Sequence, residues 1–375
     1  NKTWRCRHKT VCSLWIKTNS IGRFRVVLYS IPEALMGTMI GFAGGIVLGL
    51  AARIGRFCTL GAIEDALYGQ SNNRLRMWGT AIGMAVLLVH LALTQGFITT
   101  SNSYPLTVPF TPLLTIFGGL LFGLGMAFSG NCGFGALARL GGGDLRSFVI
   151  VLVMGVSAYV TLGGPLSPLR IWLVELLSVQ PTTASFSALL SSSTGMPASY
   201  IGLLLGAGVF GFSVWNRAFW EEKGNVIWGA LVGLSVASGW IGTHLIAQVG
   251  FSGLRPVSHG FTAPVGSTIL YFMTSSGQTL NFGIGSVCGV WAGALTGSLM
   301  KGHFRLEACE DPRELQRQIT GAVMMGIGGV LAIGCSVGQG ISAMALLSIN
   351  APLALSSIFI GAYFGLNHLI YGRLI

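Results

Sequence analysis

Nine stretches of this chain run for about twenty residues with almost no charge: 33–54, 77–97, 113–130, 145–164, 198–216, 225–241, 280–299, 319–335 and 351–372. That length matches what an α-helix needs to cross the hydrocarbon core of a bilayer. In lipid every backbone N–H and C=O has to be satisfied within the protein, so such stretches are read as helices. Only 9% of the 375 residues are charged, while 52% are hydrophobic. That charge is too sparse to cover a water-soluble surface of this size. It excludes a soluble enzyme, a disordered chain and a nucleic-acid module. The expectation is an all-α membrane protein with about nine transmembrane helices, one transmembrane domain over 33–372, and a basic segment over 1–32.

The charges present report orientation. The net charge is +11. Loops after odd-numbered spans hold Arg74, Arg76, Arg139, Arg146, Arg217, Lys223, Lys301, Arg305, Arg313 and Arg317, with Arg53, Arg56 and Arg373 on the same side. Loops after even-numbered spans hold Arg170 and Arg255. Basic loops stay in the cytoplasm, so the odd loops and the C-terminus are expected there. Nine spans then put the N-terminus in the periplasm. Residues 1–30 carry Lys2, Arg5, Arg7, Lys9, Lys17, Arg23 and Arg25 among Trp4, Trp15, Phe24 and Tyr29. That mixture suits a segment lying in the membrane interface.

Short apolar, Gly-rich pieces stand between spans at 57–69, 131–141, 242–250, 261–274 and 335–348. They are too short to cross and too apolar for water, which makes them re-entrant half-helices. The chain also matches itself. A shift of 203 residues lays Gly118, Gly123, Gly125, Cys132 and Gly135 on Gly321, Gly326, Gly328, Cys335 and Gly338. A shift of 184 lays Gly45, Gly49, Leu50, Gly55 and Thr59 on Gly229, Gly233, Leu234, Gly239 and Thr243. Spans 1–4 (33–165) and 6–9 (225–372) are thus expected repeats, joined by the linker helix 198–216. Equivalent spans are five apart, an odd number, so the repeats are inverted. Their half-helix tips are expected to meet near the midplane, where such folds place their sites.

Three of the four expected tips carry a cysteine: Cys58, Cys132 and Cys335; the fourth is assigned to Gly242. A free Cys is often only a small buried hydrophobe, and Cys288 inside a span fits that reading. Cys6, Cys12 and Cys309 lie in polar or basic stretches, and Cys6, His8 and Cys12 match no strong metal spacing. Three thiols at matched breaks call for a soft partner. A soft cation is one option, but there is no CxxC and positive charge is abundant. A soft anion is the other. A neutral S–H is a weak donor, and weak sites in series let an ion leave each one. Asn131, Thr243 and Gln339 add donors, half-helix N-termini add positive potential, and Arg56 beside Cys58 is placed to draw the anion inward. His90 and His368 lie in spans and are read as neutral and hydrogen-bonded. Glu64 and Asp65 are read as partners of nearby arginines.

The run Gly49-x5-Gly55-Arg56-Phe57-Cys58, then Gly118-x4-Gly123-x-Gly125-x3-Ser129-Gly130-Asn131-Cys132-Gly133-x-Gly135, then Gly334-Cys335-x2-Gly338 resembles the bacterial YeeE/YedE family of sulfur-compound transporters, over about 33–372. The resemblance implies thiosulfate uptake across the inner membrane, with Cys58, Cys132 and Cys335 lining a constricted path. It also implies work beside a small TusA-like sulfur carrier on the cytoplasmic side; no cofactor is expected. A related branch handles selenium compounds. Two alternatives stay open: transport of a selenium or other sulfur oxyanion, and a membrane sulfurtransferase that forms a cysteine persulfide. The expected substrate contacts are Cys58, Cys132, Cys335, Asn131, Arg56, Gln339 and Thr243.

Overall fold

The structure is a computed structural model that describes residues 32–372 except 70, 101, 180–183, 251–253, 309 and 310. The basic segment with Cys6, His8 and Cys12, as well as Cys309 and Arg373, lies outside the described residues. The helices are α1 (Glu33–Arg53), α2 (Thr59–Leu67), α3 (Asn73–Thr94), α4 (Tyr104–Thr107), α5 (Pro112–Ser129), α6 (Gly133–Leu140), α7 (Leu145–Leu162) and α8 (Ser167–Leu177). They continue with α9 (Phe186–Thr194), α10 (Ala198–Val214), α11 (Arg217–Glu221), α12 (Lys223–Val249), α13 (Thr262–Met273), α14 (Phe282–Met300), α15 (Pro312–Leu331) and α16 (Asn350–Tyr371). Between α15 and α16, a short helix over 336–345 has a π-helical centre, Gly338–Ala343. Only isolated β-bridges occur among the described residues.

Seven helical runs are long and apolar enough to cross a membrane, and α9 with α10, bent by 115°, makes an eighth. The chain is a multi-pass membrane protein. Two expected spans differ in detail. The α10 helix is 17 residues long and continues a bent neighbour. The α15 helix opens on Arg313, Glu314 and Arg317, so its first turns are polar.

Helix ends follow local chemistry. The side chains of Asp144, Ser185, Asn281 and Asp311 accept backbone N–H groups at the starts of α7, α9, α14 and α15. At the end of α5, Gly130 adopts φ 73°, a left-handed turn that glycine takes without strain. The expected break at Gly242 is absent. The α12 helix runs unbroken through Val249, and a Cβ on Gly242 would lie 2.8 Å from Ile40. That glycine serves close packing of α1 on α12 instead of ending a helix. The half-helix of this region is α13.

Two runs share one element order: long, short, long, long, short, long. The first is α1, α2, α3, α5, α6 and α7; the second is α12, α13, α14, α15, 336–345 and α16. The α1 helix packs along α14, and α3 along α12; α5 packs along α16, and α7 along α15; α5 and α15 also pack on each other. Small residues let backbones approach in these pairs. A Cβ on Gly125 would lie 2.5 Å from Gly321 O, and one on Gly321 would lie 2.5 Å from Gly125 O. Gly118 and Gly328 repeat this at 2.8 and 2.7 Å.

Arginines tie one end of the bundle together. Arg53 donates to Ser298 Oγ (2.7 Å) and His303 O (3.2 Å). Arg146 pairs with Asp144 at 3.3 Å and reaches Glu307 and Glu314 at 3.7 and 3.8 Å. Arg74 pairs with Asp65 at 3.1 Å. This end is the basic face.

Candidate functional site

Each break delivers a short tip to the bundle interior, and the four tips touch in a closed ring. Phe57, just before α2, stacks on Trp78 with centroids 4.8 Å apart and meets Phe134 of α6 edge-on at 6.5 Å. Phe134 lies 5.1 Å from Phe261, which caps α13. Phe261 N–H donates to Cys335 Sγ at 3.4 Å, and Ser342 of the next short helix donates to His259 O. Thr59 at the start of α2 closes the ring with a 2.9 Å bond to Ser336 Oγ.

The three thiols sit on this ring. Cys132 is 1% exposed and Cys335 3%, while Cys58 is half-buried. Each of the two buried sulfurs accepts the N–H of the glycine three residues on: Gly135 to Cys132 at 3.4 Å, and Gly338 to Cys335 at 3.3 Å. The cysteine therefore acts as the helix cap. With sulfur lone pairs engaged by N–H donors, the S–H stays free to donate elsewhere. Cys58 and Cys132 share one space: a Cβ on Gly135 would lie 3.7 Å from Cys132 Sγ and 3.9 Å from Cys58 Sγ.

A cavity of about 490 Å³ opens away from the basic face, between the first turn of α1, the end of α12, the segment 254–261 and the first turn of α13. Cys335 and Gln339 line its inner part; Cys58, Cys132 and Asn131 lie outside its lining. Thr243 also lines it, but its hydroxyl donates to Val257 O (2.7 Å) and accepts from Val257 N (3.1 Å). That side chain holds the 254–261 segment on α12. Arg56 is exposed and adopts φ 54°, so the turn sends Phe57 inward and leaves the guanidinium outside the ring. The expected set thus divides. Cys335, Gln339 and Thr243 line the cavity, Cys58, Cys132 and Asn131 lie at the tips outside its lining, and Arg56 is exposed.

Several buried polar atoms at or beside the tips have no protein partner: Ser129 Oγ, Asn131 Oδ1, Thr262 Oγ1, Gln339 Oε1 and Trp78 Nε1. Each such group costs about 1–3 kcal/mol. The donors among them, Ser129, Thr262 and Trp78, are those an anion would satisfy, whereas the Asn131 and Gln339 oxygens need a donor. Asn131 and Gln339 were expected from the sequence. Thr262, Ser129 and Trp78 were not, and neither was Phe261. The signal for Thr262 is its match to Thr59, since each opens a short helix directly after a tip. The expected histidines lie elsewhere: His90 bonds Val86 O at 3.0 Å beside Gly202 of α10, and His368 lies against Phe128.

The pattern that defines the sulphur transport family matches residues 54–364. The chain is 29% identical over 332 residues to a protein of Spirochaeta thermophila named thiosulfate transporter TsuA, covering 85% of this chain and 93% of that one. It is 25% identical over 350 residues to the Escherichia coli K12 protein of the same name, covering 89% and 94%. The match takes in Cys58, Cys132, Cys335 and all four tips, and the chain belongs to the sulphur transport family.

Proposed function

We propose that this protein takes up thiosulfate across the bacterial inner membrane by passing the anion from the cavity along the neutral thiols of Cys335, Cys132 and Cys58. The observation that carries this reading is the closed ring of four tips, with Cys335 on the cavity wall and Cys132 and Cys58 sharing the space beside Gly135. The relatives named as thiosulfate transporters cover nearly the whole chain and support the substrate. A neutral S–H, the Asn131 amide N–H and the Thr262 hydroxyl donate to a sulfur oxyanion without repelling it, while Gln339 Nε2 is held by Ile333 O. Each contact is weak, as conduction requires.

The path has a direction. The basic face is cytoplasmic by the positive-inside rule, and the cavity is periplasmic. Nine crossings follow: the seven long runs, the bent pair α9 and α10, and α15 with its polar turns among the headgroups. The C-terminus is then cytoplasmic and the N-terminus periplasmic. We read the two runs of helices (33–165 and 225–372) as inverted repeats joined by α10. Exchanging one run for the other turns the α1–α14 pair into the α12–α3 pair and the α5–α16 pair into the α15–α7 pair. The reciprocal Gly118, Gly125, Gly321 and Gly328 contacts between α5 and α15 support a two-fold axis there, since only related surfaces contact each other in this mirrored way. On the cytoplasmic face, Cys58 would hand the anion to a soluble acceptor such as a TusA-like carrier.

Growth tests the reading. Cells without their own thiosulfate uptake, given thiosulfate as sole sulfur source, should grow with the wild-type protein. They should fail with Cys58→Ala, Cys132→Ala or Cys335→Ala at equal membrane levels. Normal growth of the Cys132→Ala strain contradicts the relay, and uptake of selenium oxyanions instead of thiosulfate changes the substrate. Thiosulfate is a dianion, so its inward movement works against an inside-negative potential by roughly 4–5 kcal/mol per 100 mV. A coupled cation would offset that work.

A further inference from the structure

We propose that His259 is the proton site of this transporter, and that a proton on its ring and an anion in the outer cavity stabilise each other, so that both are taken up together. The inference rests on the transport reading above. His259 lies in the segment that lines the cavity and leads to Cys335, and its side chain is fully buried.

The ring is wedged among three long helices and held at both nitrogens. Nδ1 lies 2.6 Å from Ser286 Oγ of α14, and Nε2 lies 3.4 Å from Ser235 Oγ of α12. Ser235 donates its single hydrogen to Gly44 O of α1 at 2.9 Å. It can only accept from the ring, so Nε2 carries a hydrogen. In the neutral ring Nδ1 is then an acceptor, and Ser286 donates to it. A proton arriving at Nδ1 requires one change: the Ser286 hydroxyl rotates, accepts from Nδ1–H and donates to a carbonyl one turn back in its own helix, as intramembrane serines do. The site holds either charge state without losing a hydrogen bond.

The ring's immediate neighbours are uncharged: Gly44, Ser235, Ser286 and the Phe282 ring at 4.9 Å. The elements around it contribute Glu33 and Arg53 from the two ends of α1, Lys223 and His244 from α12, Cys288 from α14, Tyr271 from α13 and Arg255 from the segment itself. Glu33, Arg255 and Cys335 share the cavity wall. Full burial among uncharged neighbours pushes the ring's pKa down to about 3, so without an anion it stays neutral. An anion in that cavity adds negative charge and favours the protonated form. By reciprocity the protonated ring favours the anion by the same factor. The backbone of the segment reports the ring's state to the thiol, because His259 O accepts from Ser342 and Phe261 N–H donates to Cys335 Sγ.

The test uses the purified full chain in liposomes with a trapped pH dye and labelled thiosulfate. Wild type should acidify the lumen as it takes up thiosulfate, and an acid-outside gradient should speed uptake. Because the free ring's pKa lies at about 3, wild-type thiosulfate affinity should rise on the order of tenfold per pH unit below the pKa of the anion-bound ring and be flat above it. His259→Gln keeps an N–H donor and cannot take the proton. Its uptake with and without the gradient should be equal, and its thiosulfate affinity should not change with pH. Ser286→Ala keeps the imidazole, removes the switching partner and should shift the midpoint of the pH profile; it serves as the second variant if His259→Gln does not fold. The proposal is overturned if wild type accumulates thiosulfate without acidifying the lumen, or if His259→Gln keeps the wild-type pH profile. Failure of wild type to bind or accumulate thiosulfate at any pH would instead overturn the substrate.

Discussion

Gly135 faces both Cys132 and Cys58 and has no side chain. A methyl group there would stand at 3.4 Å from Asn131 Cβ and at 3.7 and 3.9 Å from the two sulfurs, which are ordinary van der Waals contacts. Gly135→Ala should therefore fold and reach the membrane at the wild-type level. It fills the space through which an anion would pass between thiols, so uptake should fall at least about tenfold, the equivalent of roughly 1.4 kcal/mol. Unchanged uptake would put the path elsewhere. At this scale the sequence reading reached the three cysteines, Asn131 and Gln339, because matched breaks expose them. It did not reach Phe261, Thr262 or the Thr59–Ser336 bond. Those depend on which tips meet, and a self-alignment carries no distances. The break expected at Gly242 is absent, and Thr243 lines the cavity with its hydroxyl bonded to Val257.

The short helices at the element scale exist because α1, α5 and α15 end inside the bundle and the chain breaks there before α2, α6 and 336–345. Pro112–Leu140, α5 with α6, still forms one apolar run long enough to cross. Ile333 occupies the left-handed region at φ 63° where the equivalent turn has Gly130 at 73°. A β-branched residue there stores about 1–2 kcal/mol of strain, and Gln339 Nε2 holds the turn by donating to Ile333 O at 3.0 Å. Long helices depend on bare backbone contact instead. A Cβ on Gly45 would lie 2.5 Å from Ser286 O and 3.0 Å from Gly289 Cα, so α1 and α14 would have to separate. Gly45→Ala should lower the melting temperature in detergent, with a loss of about 1–3 kcal/mol. Gly208→Ala, with nothing within 4 Å of its Cβ, should leave it unchanged. Equal melting of the two variants would refute the packing account. Most long helices were legible from apolar length alone. The run of α12 past Gly242 was not, because a transmembrane glycine looks the same in sequence whether it breaks a helix or seats a neighbour.

For the whole molecule, charge and cavity divide the two ends. Arginines and lysines gather where α1 and α14 finish, and the cavity opens where α1 and α14 begin. The account predicts opposite labelling by a membrane-impermeant thiol reagent. Cys335 should react from the periplasm and be protected by thiosulfate, and a thiol introduced by Lys301→Cys should react only from the cytoplasm. Labelling of both from one side would refute the orientation. The loop charges made this division legible in advance, whereas the ring of tips became visible only in the assembled bundle. The central claim is that thiosulfate crosses by way of the buried thiols. Its most direct measurement is uptake of labelled thiosulfate by the purified protein in liposomes, wild type beside Cys132→Ala. The account predicts saturable uptake by wild type and none above empty liposomes for Cys132→Ala, although that variant loses only a helix cap worth about 1 kcal/mol and should still fold. Uptake by Cys132→Ala at the wild-type rate would contradict it.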